Sequence, residues 1–426
     1  MNIKPSTIFT GDNLPIMRGM EDECVDLIYL DPPFNSKHDY AAPIGSKAAG
    51  TGFRDTWTLS DIDEEWHEEI ERSNPALYQV ILAAGLAGGD SDKAYLIYMA
   101  VRLLEMRRIL KSTGAIYFHC DKNMSHSVKL MLDAIFGGKN FYNEIVWCYR
   151  TGGASKRKWA AKHDAIMMYT KEPGRYQHNA LKVRSYVNMP AEQIDRSYIK
   201  KATDSGCENG IKWWEYMSGK DLMRIYNDPK DDGYFTLVNC RDWWDDIKAV
   251  GRYSAERTGY RTQKPLELLK RIIAASSNEG DWVLDPFCGC ATTCLAAHIL
   301  NRNWIGIDFG PKSYDLIRSR LETVLGTATV KVIKRTDIPS RKVKRTKGIR
   351  KTLYGKQSGN CSGCGEHFEL RNFHLDHIVA RDKGGMDNDE NLQLLCGSCN
   401  SIKGPRSMEY LRAQLKKHGY GKYRKK

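Results

Sequence analysis

The sequence predicts a doubly wound α/β sheet through residue 326, interrupted by an inserted region, and after it a small metal-braced unit. Three observations predict this. Short apolar runs alternate with amphipathic helical stretches across the first 330 residues, the pattern of strands covered by helices on both faces. Two of those runs end on an acid followed by proline, DLIYLDPPFN at 26–35 and GDWVLDPFCGC at 280–290. Two C-x-x-C pairs then stand near the C-terminus of a chain whose 426 residues exceed one ordinary domain.

In chain order, strands are predicted at 27–30, 115–119, 165–169, 282–284 and 304–307, and helices at about 93–111, 124–136, 265–276 and 292–301. Residues 35–60 and 81–92 are rich in Gly, Ala and Ser and read as loops, the first hanging from the Asp-Pro-Pro elbow. Between about 172 and 258 the alternation fades, which marks the insertion. Its aromatic pairs, Trp213–Trp214 and Trp243–Trp244, read as core, with stacking on bases as the alternative. Residues 331–350 hold nine basic residues, one acid and no apolar period, the composition of an extended linker. The predicted map is therefore 1–326, with 172–258 inserted, a basic linker at 327–356, and a last unit at 357–426.

Charge is one-sided. The net charge is +13, yet residues 331–426 carry 23 Lys or Arg against 9 Asp or Glu, so the surplus lies at the C-terminal end and points to a polyanion there. A solvated tail is the bland alternative. No apolar run approaches eighteen residues and no charged-then-apolar leader opens the chain, so the expectation is a cytoplasmic protein without a membrane span. Twelve cysteines in such a chain are expected to stay reduced, and Cys288, Cys290 and Cys294 read as small residues filling tight packing sites.

Ligands in open α/β sheets sit beyond the carboxyl ends of the strands, where Asp31 emerges. Pro32 and Pro33 fix the backbone there, so a carboxylate and a proline carbonyl form a rigid pair of acceptors beside the ring of Phe34. Such a pair grips both hydrogens of an amino group and draws them from the plane of an aromatic amine, returning lone-pair density to its nitrogen. Residues 280–297 then read as strand, acidic turn and helix: Gly289 lets the backbone approach a ligand at the helix start, and Asp285 suits a cationic group. Asp308, ending the next strand in WIGID, holds the position from which an acid takes ribose hydroxyls.

These residues resemble the DNA amino-methyltransferases that use S-adenosylmethionine, in the beta-class order where the catalytic motif precedes the cofactor motif. The resemblance includes GDN at 11–13, GAIYFHCD at 114–121, FYNEIVW at 141–147, KHD at 162–164 and RTGYRTQKPLELL at 257–269. It implies a Rossmann-like methyltransferase sheet, a target-recognition role for the insertion, and methyl transfer to the exocyclic amine of a base flipped from double-stranded DNA. It also implies that Asp31 and the Pro32 carbonyl hold the amine while Phe34 stacks on the base. Thr262, Lys264 and Pro265 would line the cofactor's methionine end, Asp285 and Phe287 its methionine and adenine parts, Gly289 and Thr292 its loop, and Asp308 its ribose. Members that begin the catalytic motif with Asp mostly methylate adenine, which favours adenine N6. The loop departs from the family's Gly-Ser-Gly-Thr-Thr in having Gly289-Cys-Ala-Thr-Thr293, so Ala291 weakens cofactor binding if that position is left-handed.

After the linker, CSGC at 361–364 and CGSC at 396–399 offer four thiolates, Cys361, Cys364, Cys396 and Cys399, to a structural Zn²⁺. A plain zinc ribbon that grips DNA is one reading. Asp376-His377, Asn391 and Asn400 favour more: with the knuckles they resemble an HNH endonuclease, a ββα-metal fold. That resemblance implies Asp376 and Asn400 as ligands of Mg²⁺ or Mn²⁺, His377 as general base and Asn391 as its brace, with Asn400 where the family name expects His. Methylation and cutting on one chain imply restriction–modification.

Overall fold

The computed structural model describes residues 3–424 apart from 43–45, 47, 50–51, 63, 150–155, 158, 187–201, 209–210, 219–220, 229–232, 261, 311–312, 326–331, 337–347, 379 and 381–390. The main sheet is built from β1 (Thr7–Thr10), β2 (Val25–Leu30), β3 (Leu110–Cys120), β4 (Phe141–Cys148), β5 (His163–Thr170), β6 (Trp282–Asp285), β7 (Asn303–Asp308) and β8 (Ile333–Arg335). They stand side by side in the order β4-β5-β3-β2-β6-β7-β1-β8. All neighbours pair in parallel except β5, which runs antiparallel to both β3 and β4. The central strands are buried runs of Leu, Ile and Val, as strands covered on both faces must be.

The order decides where the two acidic elbows meet. β2 and β6 are direct neighbours, Leu27 opposite Val283 and Ile28 opposite Leu284, so their carboxyl ends, and the acids that follow, emerge together. Helix Asp90–Ile109 covers this region with twelve buried residues among its twenty. Every predicted strand is present, each extended by one to five residues at one or both ends.

Three predicted boundaries change. Residues 81–92 are helical except at Gly89 and not a loop: helix Pro75–Gly88 starts from an Asn74 side chain that accepts the Leu77 N–H, has Pro at its first position, and buries Leu77 and Ile81. The linker is shorter than 327–356, because helix Ile349–Lys356 buries Ile349 and Leu353 in one core with Cys361, Cys364 and Phe373, while β8 is pinned parallel to β1. The insertion forms a compact unit at 178–243, narrower than 172–258.

By itself that unit is a five-stranded antiparallel sheet in the order Lys182–Tyr186, Gly233–Asn239, Asp221–Asp228, Ile211–Ser218, Asp204–Glu208. Among its described residues Ile225 and Phe235 are buried, and the Trp213 ring lies 4.2 Å from the Arg224 guanidinium. Of the second tryptophan pair, Trp244 is buried and Trp243 exposed. Among the described residues no helix is long and apolar enough to cross a membrane.

Candidate functional site

A cavity of about 520 Å³ opens at the carboxyl ends of β2, β6 and β7. It is lined by Asp31, Pro32, Pro33 and Phe34 on one side and by Asp285, Phe287, Gly289, Thr292 and Asp308 on the other, with Thr262 and Lys264 between. Pro265 is absent from the lining; it is buried as the residue preceding helix Leu266–Ser276. Lys264, within the lining, donates through its ammonium to both oxygens of Asp31, at 2.8 and 2.7 Å.

Backbone and neighbours fix the elbow from both ends. After Phe34 the chain turns through Asn35 at φ 58°, and the buried Asp55 carboxylate accepts the N–H of Asn35 at 2.6 Å and of Ser36 at 3.0 Å. Asp12 of the GDN motif accepts from Leu14 at the start of helix Asn13–Gly19, and Asn13 donates to the Pro286 carbonyl at 2.7 Å. Arg102 ties this corner down, donating to Asn13 at 2.7 Å and to Asp12 at 2.8 Å. Asn13, Asp55 and Arg102 were not singled out from the sequence. GDN offered a signal for Asn13, whereas Asp55 and Arg102 carry none.

The opposite wall is acidic and largely buried. Asp285 is buried and accepts the Phe287 N–H at 3.0 Å and the Thr293 hydroxyl at 2.5 Å; burial nevertheless pushes its carboxyl up to about 7. Asp308 accepts from the N–H groups of Gly289 and Gly310 and from the Ser313 hydroxyl, and burial raises it as well. Two desolvated carboxylates in one cavity fit a ligand that brings positive charge, which would hold them ionised. Gly289 sits at φ +50°, and a Cβ there would meet the Tyr260 ring at 3.1 Å. Ala291 is left-handed at φ 56°, ψ 41°, the conformation in which alanine is strained. Arg320 clasps this turn through the Cys290 carbonyl and the Thr292 hydroxyl, both at 2.8 Å. The sulfurs of Cys288 and Cys294 pack where a Cβ on Gly306 would stand.

In the C-terminal unit the sulfurs of Cys361, Cys364, Cys396 and Cys399 are buried within 4.8 Å of one another. That spread suits a tetrahedral ion with bonds of about 2.3 Å. The Cys396 N–H donates to the Cys361 sulfur at 3.2 Å, stabilising thiolate character there. Strands Phe373–His377 and Leu392–Cys396 pair antiparallel, with Asp376 opposite Gln393 and His377 opposite Leu392, and helix Gly397–Lys403 follows. Asn391 is buried directly before the second strand, and Asn400 lies one turn before Lys403 on that helix. Asp376 is not an open ligand: Gln393 donates to it at 2.8 Å, and the buried ammonium of Lys403 lies 3.3 Å away while donating to the His377 carbonyl at 2.9 Å. As arranged, this set does not fit a divalent ion.

Residues 25–319, well over half of the chain, match the family described as DNA methylase. The chain belongs to that family. Residues 361–406 match the HNH endonuclease family, so this methylase carries an HNH domain at its C-terminal end. Among its relatives, the Type II methyltransferase M.EcaI of Enterobacter cloacae is 31% identical over 351 residues, covering 72% of this chain and 67% of that protein. The Type II methyltransferase M.HpaI of Haemophilus parainfluenzae is 26% identical over 317 residues, 74% of each chain. The DNA adenine methyltransferase YhdJ of Escherichia coli K12 is also 26% identical over 317 residues, 74% of this chain and 82% of that one.

Proposed function

We propose that this DNA methylase transfers the sulfonium methyl group of S-adenosylmethionine to N6 of adenine in double-stranded DNA. The observation that carries the reading is the single cavity shared by the Asp31-Pro32-Pro33-Phe34 corner and the buried acids Asp285 and Asp308. S-adenosylmethionine, when bound, supplies the electrophilic methyl group, and its positive charge suits the raised carboxyl of Asp285. Asp285, Phe287, Gly289, Thr262 and Thr292 would hold it, and Asp308 its ribose.

Asp31 and the Pro32 carbonyl accept the two hydrogens of the target amine, Pro33 keeps the corner stiff, and Phe34 stacks on the flipped base. Lys264 takes one lone pair on each oxygen of Asp31, which leaves each oxygen able to accept an amine hydrogen as well. Adenine is favoured by the acid at 31 and by the likeness to an adenine methyltransferase. Mass spectrometry of nucleosides from unmethylated DNA treated with protein and S-adenosylmethionine is expected to show N6-methyladenine. N4-methylcytosine would overturn the choice of base, and no methylated product would overturn the reaction.

The HNH domain on the same chain supports restriction–modification in the cytoplasm, with His377 as the general base of DNA cleavage. The lysine over Asp376 favours a second reading of this unit, a zinc-braced grip on DNA without cleavage. Nicks in unmethylated plasmid that disappear in His377→Ala support cleavage; intact plasmid with Mg²⁺ and with Mn²⁺ supports the grip.

A further inference from the structure

Two motifs remain without a role in that chemistry, GAIYFHCD at 114–121 and KHD at 162–164. The sheet brings them together: β3 and β5 are neighbours, and His119 of the first meets Asp164 of the second directly behind the Phe34 ring. His119 is fully buried and hydrogen-bonded at both ring nitrogens, Nδ1 lying 2.9 Å from the Tyr29 hydroxyl and Nε2 3.1 Å from Asp164 Oδ2. The second oxygen of Asp164 accepts from the Tyr149 hydroxyl at 3.0 Å, and the Trp147 ring meets His119 edge-on at 5.8 Å. A carboxylate is acceptor-only, so Nε2 carries the proton toward Asp164 and Nδ1 is left to receive the Tyr29 hydroxyl. Held on two sides in this way, the imidazole cannot turn, and the Phe34 ring lies stacked on it at 24° with centroids 6.2 Å apart.

We infer that His119 and Asp164 are positioning residues for the proposed methyl transfer: they hold the Phe34 ring as a fixed platform for the flipped base. The inference rests on the reading of Phe34 as the stacking face. Asp164 is well suited to the task, because against burial the hydrogen bonds from His119 and Tyr149 and the charge of Lys264 keep its carboxyl below the usual range. A platform contributes equally to the bound base and to the transition state, so its loss raises KM and leaves kcat alone.

The test is steady-state methylation of unmethylated phage λ DNA by the full chain, with calorimetry of S-adenosylmethionine binding. Asp164→Ala is expected to raise KM for DNA about tenfold, the scale of one base–aromatic stack, with kcat and cofactor affinity within about twofold of the unsubstituted chain. Asp164→Asn keeps an oxygen for Nε2 and is expected to recover most of the KM. Unchanged KM in Asp164→Ala overturns the inference, as does a fall in kcat at constant KM, or a loss of cofactor affinity equal to the loss for DNA. Failure of the unsubstituted chain to methylate λ DNA overturns the underlying reading along with it, whereas an active chain indifferent to Asp164→Ala overturns this inference alone.

Discussion

In the crevice and in the C-terminal unit alike, a lysine lies on the acid that the sequence singles out, but the two pairs are built differently. Lys264 takes both oxygens of Asp31 at the wall of an open cavity, with 11% and 15% of the two side chains exposed. Lys403 stands 3.3 Å from Asp376 with 1% exposed and is also fastened to the His377 carbonyl. The first lysine can leave its acid for solvent or for an anionic group on a ligand. The second is buried and tied to two partners at once. One acid thus stands with its lysine at the wall of an open cavity, and the other is a buried tie within a small unit.

The largest effect expected to separate the two regions is loss of the Zn²⁺ that the four cysteines would hold. A structural site of four thiolates contributes about 10–16 kcal/mol to folding, more than so small a core can replace. Cys396→Ser, or prolonged chelation, is expected to unfold the C-terminal unit while methyl transfer continues, read by limited proteolysis beside a methylation assay. Methyl transfer that fails together with the fold of that unit would show that the two regions are not independent.

Next comes the buried lysine. Lys403→Met leaves Asp376 charged and enclosed without its cation, which costs about 3–5 kcal/mol in such settings. Lys264→Met should cost less, about 1–2 kcal/mol, because water in the crevice solvates Asp31 once the ammonium is gone. Thermal unfolding of the two variants checks the ranking. Equal losses would mean that both acids are ties, and tighter Mn²⁺ binding by a stable Lys403→Met protein would make Lys403 a plug over a metal site.

What could be read in advance follows the same division. Strands β2, β6 and β7 were legible because each is an apolar run that ends on an acid, and the four cysteines because their spacing is itself the ligand geometry. Pairings across the sheet were not, since nothing local to Lys264, His119 or Asp164 announces which distant side chain it meets. Helix Pro75–Gly88 was hidden by its Gly and Ala content, although Asn74-Pro75 is a helix-start signal. Helix Ile349–Lys356 was hidden because its buried face is only Ile349 and Leu353, one turn apart, at the end of a basic stretch.

The smallest expected effect concerns a single methyl group. Ala291 stands left-handed at φ 56° between Gly289 and the helix that begins at Thr292, in the loop proposed to hold the cofactor. Left-handed alanine costs about 1–2 kcal/mol over glycine, and glycine returns about 0.4–1 kcal/mol of that by loosening the unfolded chain. Ala291→Gly is therefore expected to gain about 0.5–1 kcal/mol in unfolding free energy. If the strain is released only when the loop closes on its ligand, the same gain appears instead as about a two- to fivefold lower Kd for S-adenosylmethionine. Calorimetry and thermal unfolding on the same preparation distinguish the two. A variant that gains in neither would mean that the Arg320 clasp on Cys290 and Thr292 sets the turn whatever residue stands between them, and that the crevice tolerates alanine because its geometry is imposed from outside the loop.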